Sequence, residues 1–227
     1  MKTLGLIGGT SWHSTIEYYR CINEQVGEEI GRHANPPLIL HSINIELMRE
    51  QDPRKINAKY LDVAQKLEQA GAEAIVICAN TPHMAYDNVQ PKIGIPFLHI
   101  ADATGKEAER LGLKKLGLLG NRPTMTGSFI SGFLKSNYHM EVLIPEAENI
   151  GKAHKFVSEE LTQGAFTPPA REFFTGQMEL LRARGAEGII LGCTELPILL
   201  KEDDIDMPLL ATTHLHVQMA VEFILSD

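Results

Sequence analysis

The chain has 227 residues, a formal net charge of −8, and 44% hydrophobic and 22% charged residues. This is the composition of a globular protein with room for one large domain or two small ones, each with a full core. The acidic balance counts against nucleic acid as a partner, because phosphate contacts need a basic surface. The longest apolar runs are of strand length, far short of the ~20 residues of a membrane span, so no membrane partner is expected. The chain turns into a glycine-rich loop at Gly8-Gly9, too early for a signal peptide. Its three cysteines, Cys21, Cys78 and Cys193, are an odd number without Cys-x-x-Cys spacing. That argues against a disulfide framework or structural zinc, and makes a reducing, cytoplasmic compartment the expectation.

Residues 2–9, K-T-L-G-L-I-G-G, read as a buried parallel strand running into a loop. The hydroxyl-rich stretch 10–15 is placed to cap a helix over about residues 16–30. Gly8-Gly9 ahead of that helix fits either an anion site lined by backbone N–H groups or a plain tight turn. The dinucleotide pattern G-x-G-x-x-G is absent. A second strand follows Pro36-Pro37 over residues 38–43, and residues 44–48 leave it as a loop. Ile56, Tyr60, Val63, Ala64 and Leu67 recur at helical spacing in a helix over residues 54–69, which Gly71 ends. Residues 74–78 form a third strand leading into A-N-T-P-H at 79–83, with Pro82 in the first turn of a new helix. A short strand at 95–100 and a helix at 102–111 complete this part.

Then the pattern restarts. K-L-G-L-L-G at 115–120 repeats T-L-G-L-I-G at 3–8 with an offset of 112 residues. G-A-E-G-I-I-L-G-C-T-E at 185–195 repeats G-A-E-A-I-V-I-C-A-N-T at 71–81 with an offset of 114, which sets Cys193 opposite Ala79. Between these copies, Thr124-Met125-Thr126 opens a helix through Phe129 and Phe133, residues 142–144 form a strand, and 150–161 and 168–183 are helical. A strand at 209–210 and a helix over 212–225 return the chain to its first half. Two offsets this close indicate an internal duplication of a β-α-β unit. The expected fold is α/β: two similar halves, each a parallel sheet flanked by helices, related by a pseudo-two-fold, with the active site in the cleft between them. The expected halves are residues 1–100 with 208–227, and residues 101–207.

Ligands of parallel sheets bind beyond the C-terminal ends of the strands, and there Cys193 stands in a G-C-T-E turn. Backbone N–H groups at such a position are expected to lower its pKa and make it a reactive thiol; the other reading is a small core hydrophobe. Cys78 continues an apolar strand and reads as core; Cys21, within its helix, reads as core or surface. Asn80, Thr81 and Thr194 are neutral donors and acceptors suited to a carboxylate, or to helix capping. Thr10, Thr124 and Thr126 at the other strand ends complete the candidate substrate-binding set. His83 is an auxiliary acid/base candidate or a capping histidine. His214-x-His216 lacks a third ligand, and residues two apart diverge on a helix, so no metal is expected.

G-L-I-G-G-T-S-W at 5–12, A-N-T-P-H at 79–83, H-I-A-D-A-T at 99–104, P-T-M-T at 123–126 and G-C-T-E-L-P at 192–197 together resemble the aspartate/glutamate racemase family over essentially the whole chain. The resemblance implies two similar α/β halves around a cleft, no cofactor, and a small-molecule amino acid or dicarboxylate as partner; it leaves a homodimer open. Members typically carry two cysteines that exchange the α-proton on opposite faces. Cys193 matches the second. The first falls on Ala79, a vacant partner position, and Ala211 stands where many members have an aspartate. Three readings follow: racemisation with Thr81, His83 or water substituting; a single-thiol isomerase or decarboxylase resembling the arylmalonate decarboxylases; or an inactive carboxylate binder.

Overall fold

Glycine- and proline-bounded apolar runs become strands, and the amphipathic stretches between them become helices, in a computed structural model that describes residues 1–226. One sheet holds β1 (Leu4–Gly8), β2 (Leu38–Ser42) and β3 (Ala74–Ile77) in the order β2-β1-β3. The other holds β4 (Lys115–Leu119), β5 (Glu141–Leu143), β6 (Gly188–Leu191) and β7 (Leu209–Ala211) in the order β5-β4-β6-β7. All neighbouring strands run parallel. The first part carries α1 (Trp12–Ile30), the single turns α2 (Glu46–Arg49) and α4 (Tyr86–Val89), and α3 (Pro53–Gln69) between them. The second carries α5 (Ile100–Arg110), α6 (Arg122–Thr126), α7 (Ser128–Tyr138), α8 (Ala147–Lys155), α9 (Pro168–Ala183) and the turn α10 (Leu196–Leu199). The chain closes with α11 (Thr212–Leu225).

The duplication is written into the pairing. Leu4 opposes Ala74 in the first sheet, and Leu116 opposes Gly188 in the second. Strands β1, β3 and β6 are buried at every residue, as a parallel strand covered on both faces must be. In the first sheet, Leu4, Leu6, Ala74 and Val76 pack against Tyr18, Ile22 and Val26 of α1 and Val217 and Ala220 of α11. Ile7, Ile75 and Ile77 face Ile56, Tyr60, Val63 and Leu67 of α3. In the second, Ile189 and Leu191 face Phe174, Met178 and Leu181 of α9, while Leu116, Leu118 and Ile190 face Ile130 and Leu134 of α7. Each of the Val, Leu, Ile, Phe and Met side chains among them contributes about 1.5–3 kcal/mol on burial.

Two compact units result: Met1–His99 with His216–Asp227, and Ile100–Leu215. The second boundary thus falls within α11 rather than at residue 208. The expected placement of strand 209–210 fails because Leu209–Ala211 hydrogen-bonds β6, extending the second sheet. The strand expected at 95–100 reduces to an isolated bridge between Phe97 and Ile75, after which α5 begins at Ile100. The helix expected over 150–161 is α8 up to Lys155, continued by a π-turn at Phe156–Glu160 and a 3₁₀ turn at Leu161–Gln163. Helix α1 starts four residues early, at Trp12, because the Ser11 side chain accepts the Ser14 N–H and caps it. No helix among the described residues is long and apolar enough to cross a membrane.

Candidate active site

In the first unit, the turn after β1 is shaped by close backbone approach. Gly9 adopts φ +89°, and a Cβ there would lie 2.1 Å from the Ile43 carbonyl oxygen, so only glycine fits. Its N–H donates to Thr15 Oγ1 at 3.0 Å, and the Ser14 N–H donates to Ser11 Oγ at 3.2 Å. These two N–H groups are therefore engaged within the turn itself. Thr10 Oγ1 shares a 2.7 Å hydrogen bond with Tyr60 Oη.

The neighbouring strand β3 ends at Ile77. Cys78 donates its N–H to the Ile7 carbonyl and points its sulfur into the core beside Leu6 and Val76; burial alone pushes its thiol pKa up. Ala79 follows, two residues beyond the strand, with its methyl packed on the Ile75 side of the sheet. Asn80 is 7% exposed, and its Oδ1 is buried without a hydrogen-bond partner. Thr81, partly buried, opens a 3₁₀ turn over Thr81–Ala85. His83, in that turn, is buried, with Nδ1 2.9 Å from the Ala79 carbonyl oxygen and 3.1 Å from that of Asn80.

The second unit repeats the construction with different chemistry at its tip. Strand β6 ends at Leu191, and the Gly192 N–H donates to the Leu119 carbonyl at 2.8 Å. A Cβ at Gly192 would meet both that carbonyl and the Thr124 methyl at 2.9 Å, so β4, β6 and α6 close tightly here. Asn121 Oδ1 accepts the Thr124 N–H at 2.9 Å and caps α6, leaving Thr124 fully buried against the glycine that precedes Cys193. Thr126 is directed elsewhere: it is exposed, and its hydroxyl donates to the Arg122 carbonyl of its own turn.

Cys193 stands two residues beyond β6, the position of Ala79 beyond β3. It is partly buried, and its Sγ–H donates to Glu195 Oε2 at 2.8 Å. The expectation of a lowered pKa is overturned. The Glu195 and Thr194 N–H groups do favour the thiolate, but burial, then the Glu195 charge and its hydrogen bond, outweigh them and raise the thiol well above its ordinary value. Glu195 was overlooked in the sequence; its closeness to the cysteine in a polar turn was the available signal. Thr194 between them is partly buried.

The remaining candidates make other contacts. Cys21 donates to Glu17 Oε1 within α1, and burial with that carboxylate pushes its thiol up to about 12. Ala211 ends β7 opposite Leu191, and the Thr212 hydroxyl donates to the Leu191 carbonyl. His214 is exposed while His216 is buried. Among the described residues, no group of three or more His, Cys, Asp or Glu is arranged to hold a metal ion.

A thiol donating to a carboxylate is an arrangement through which a proton can pass between sulfur and oxygen. Residues 7–220 match the family described as Asp/Glu/Hydantoin racemase. The chain belongs to this family. Its fold matches that of a Yersinia pestis protein described provisionally as an Asp/Glu racemase, at 37% identity and TM-score 0.94 with both chains fully covered. An aspartate racemase homologue from Pyrococcus horikoshii OT3 matches at 33% identity and TM-score 0.88, again over 100% of each chain. The broad specificity amino-acid racemase RacX of Bacillus subtilis is 34% identical over 89 residues. That stretch is 39% of each protein, so the match spans well under half of that relative's length.

Proposed function

We propose that the protein is a cofactor-independent racemase- or epimerase-type enzyme acting on the α-carbon of an acidic amino acid, aspartate or glutamate, with Cys193 as the proton-exchanging group. The observation that carries this reading is the Cys193–Glu195 hydrogen bond in a chain belonging to the Asp/Glu/Hydantoin racemase family. At rest the sulfur is a thiol, because burial and the Glu195 charge disfavour the thiolate. As substrate binds, Glu195 accepts the thiol proton and the sulfur removes the α-proton. The electron pair of the C–H bond then passes into the substrate carboxylate as an enolate. A thiolate whose pKa has been raised is a stronger base, which suits a weakly acidic carbon. Asn80, Thr81, Thr124 and Thr194 are the neutral groups proposed to hold the substrate, with Thr10 at the neighbouring strand end. Thr126, exposed and bonded within its own turn, is the weakest member of this set.

Ala79 makes the chemistry one-sided. A methyl group has no transferable proton, so the enolate is reprotonated by Cys193 itself, restoring the starting enantiomer, or by a solvent proton, giving inversion. Exchange of the α-hydrogen is therefore faster than inversion. A single-thiol reaction on a related carboxylate draws on the same observation.

The test is incubation in D₂O with L- and D-aspartate and L- and D-glutamate, following α-proton loss by NMR and configuration by chiral chromatography. Exchange outpacing inversion supports the proposal. Equal rates point to a second proton donor that the sequence position does not supply. Tight binding with no exchange of any enantiomer would overturn the enzymatic reading in favour of a carboxylate binder.

A further inference from the structure

Three imidazoles are packed together in the interior of the first unit, beside the turn that carries Ala79 and Asn80. His83 is 1% exposed, His99 3% and His216 0%. The His83 ring centroid lies 4.9 Å from that of His99 and 5.4 Å from that of His216, both edge-on. Phe97 lies 5.7 Å from His83, and Tyr86 packs edge-on against His99 at 4.6 Å. Nothing in the proposed proton transfer uses this cluster, yet a buried polar ring is costly unless it is hydrogen-bonded.

Those bonds fix the protonation state of two rings. A carbonyl oxygen only accepts, so His83 Nδ1, facing the Ala79 and Asn80 carbonyls at 2.9 and 3.1 Å, carries a proton and donates to both. Its Nε2 is buried and has no partner. A neutral ring with the proton on Nδ1 has nothing on Nε2 to give. His216 has the opposite arrangement. Its Nε2 donates to the Leu98 carbonyl at 2.9 Å, so its Nδ1 accepts from Tyr18 Oη at 2.8 Å. Tyr18 and His216 come from α1 and α11, so two helices and the segment after β3 together hold the His83 ring.

We propose that His83 is a positioning residue and not an acid or base: its Nδ1–H clamps the Ala79 and Asn80 carbonyls, and the packed rings of His99 and His216 hold it in the tautomer that can do so. The clamp fixes the direction in which Asn80 presents its amide, and so sets how firmly substrate is held. Only this last consequence rests on the functional reading given above; the clamp itself does not.

The test exploits geometry. The amide nitrogen of asparagine lies as many bonds from the backbone as histidine Nδ1, and that of glutamine as many as Nε2. His83→Asn can restore the clamp; His83→Gln cannot. The expected result is that His83→Gln raises KM by about tenfold with a smaller change in kcat, and His83→Asn recovers most of that loss. The pH profile of kcat keeps its shape in both. Equal loss of kcat in the two variants, with one arm of the pH profile gone, would overturn the proposal in favour of proton transfer by His83. Nitrogen-15 NMR of histidine-labelled wild-type protein reads the tautomer without any activity. A proton on Nδ1 of His83 supports the clamp, and a proton on Nε2 refutes it, even if no acidic amino acid proves to be a substrate or neither variant folds.

Discussion

Cys193 and Glu195, separated by one residue in the turn after β6, share a 2.8 Å hydrogen bond in which the thiol is the donor. The contact has two opposing consequences. The carboxylate raises the thiol pKa by its charge and by accepting the bond, and in the proposed reaction the same carboxylate takes the proton away. Glu195→Gln separates them. The thiol pKa falls, read by titrating the thiolate absorbance, while α-proton exchange near neutral pH drops by roughly 10²–10⁴, the usual worth of a positioned base. A variant with a lowered thiol pKa and faster exchange would show that Glu195 only restrains the cysteine.

The vacant position in the other unit gives the second prediction. Ala79 is partly buried against the core beside Ile75, so Ala79→Cys adds one sulfur atom at a site already largely packed, at a cost of about 1–3 kcal/mol. The variant is expected to invert configuration faster than the wild type while exchanging the α-proton at a similar rate. Chiral chromatography and deuterium incorporation on the same samples check this. Unchanged inversion in a folded variant would show that the equivalence of the two positions ends at the backbone.

A third prediction concerns the scaffold. Gly9→Ala forces an L side chain into φ +89° with its Cβ 2.1 Å from the Ile43 carbonyl oxygen. The turn must move, at a cost of at least about 2 kcal/mol. In a chain of this size that lowers the thermal midpoint by roughly 4–8 °C. Calorimetry showing no change would mean that the close approach relaxes without penalty.

The imidazole cluster predicts acid sensitivity. Burial, then the neighbouring His99 and His216, hold the His83 pKa well below its ordinary value of 6.5. Below that value the unfolded chain binds a proton that the folded protein resists, so stability is fully present above pH 6.5 and is lost as pH falls. Within that window the loss from this one group is up to about 1.4 kcal/mol per pH unit, until its own lowered pKa is reached. Urea unfolding between pH 7 and pH 5, compared with His83→Asn, checks it. The asparagine variant is expected to show the shallower dependence.

Much of this was legible in the sequence because duplication leaves local traces. The strand pairs Leu4–Ala74 and Leu116–Gly188 carry the offsets of 112 and 114 residues directly into the sheets. Cys78 was readable as core and Cys193 as the strand-end thiol, since alternation along a strand decides which residues face inward. What escaped depends on contacts that no periodicity encodes. Strand β7 joins β6 rather than the first sheet because backbone pairing, not chain order, chooses its neighbour. The raised Cys193 pKa comes from a side chain folding back two residues, where helix-end N–H groups alone argued the reverse. The packing around the His83 ring comes from His99 and His216, the latter 133 residues away in the chain.

The most direct test of the central claim is α-deuterium incorporation into aspartate and glutamate in D₂O by wild-type protein and by Cys193→Ala, at matched concentration and with folding verified. The wild type is expected to incorporate deuterium into at least one enantiomer, and Cys193→Ala to lose that activity by at least about 10³-fold. Retention of the wild-type rate by Cys193→Ala would contradict the account, because no other group in it removes the α-proton.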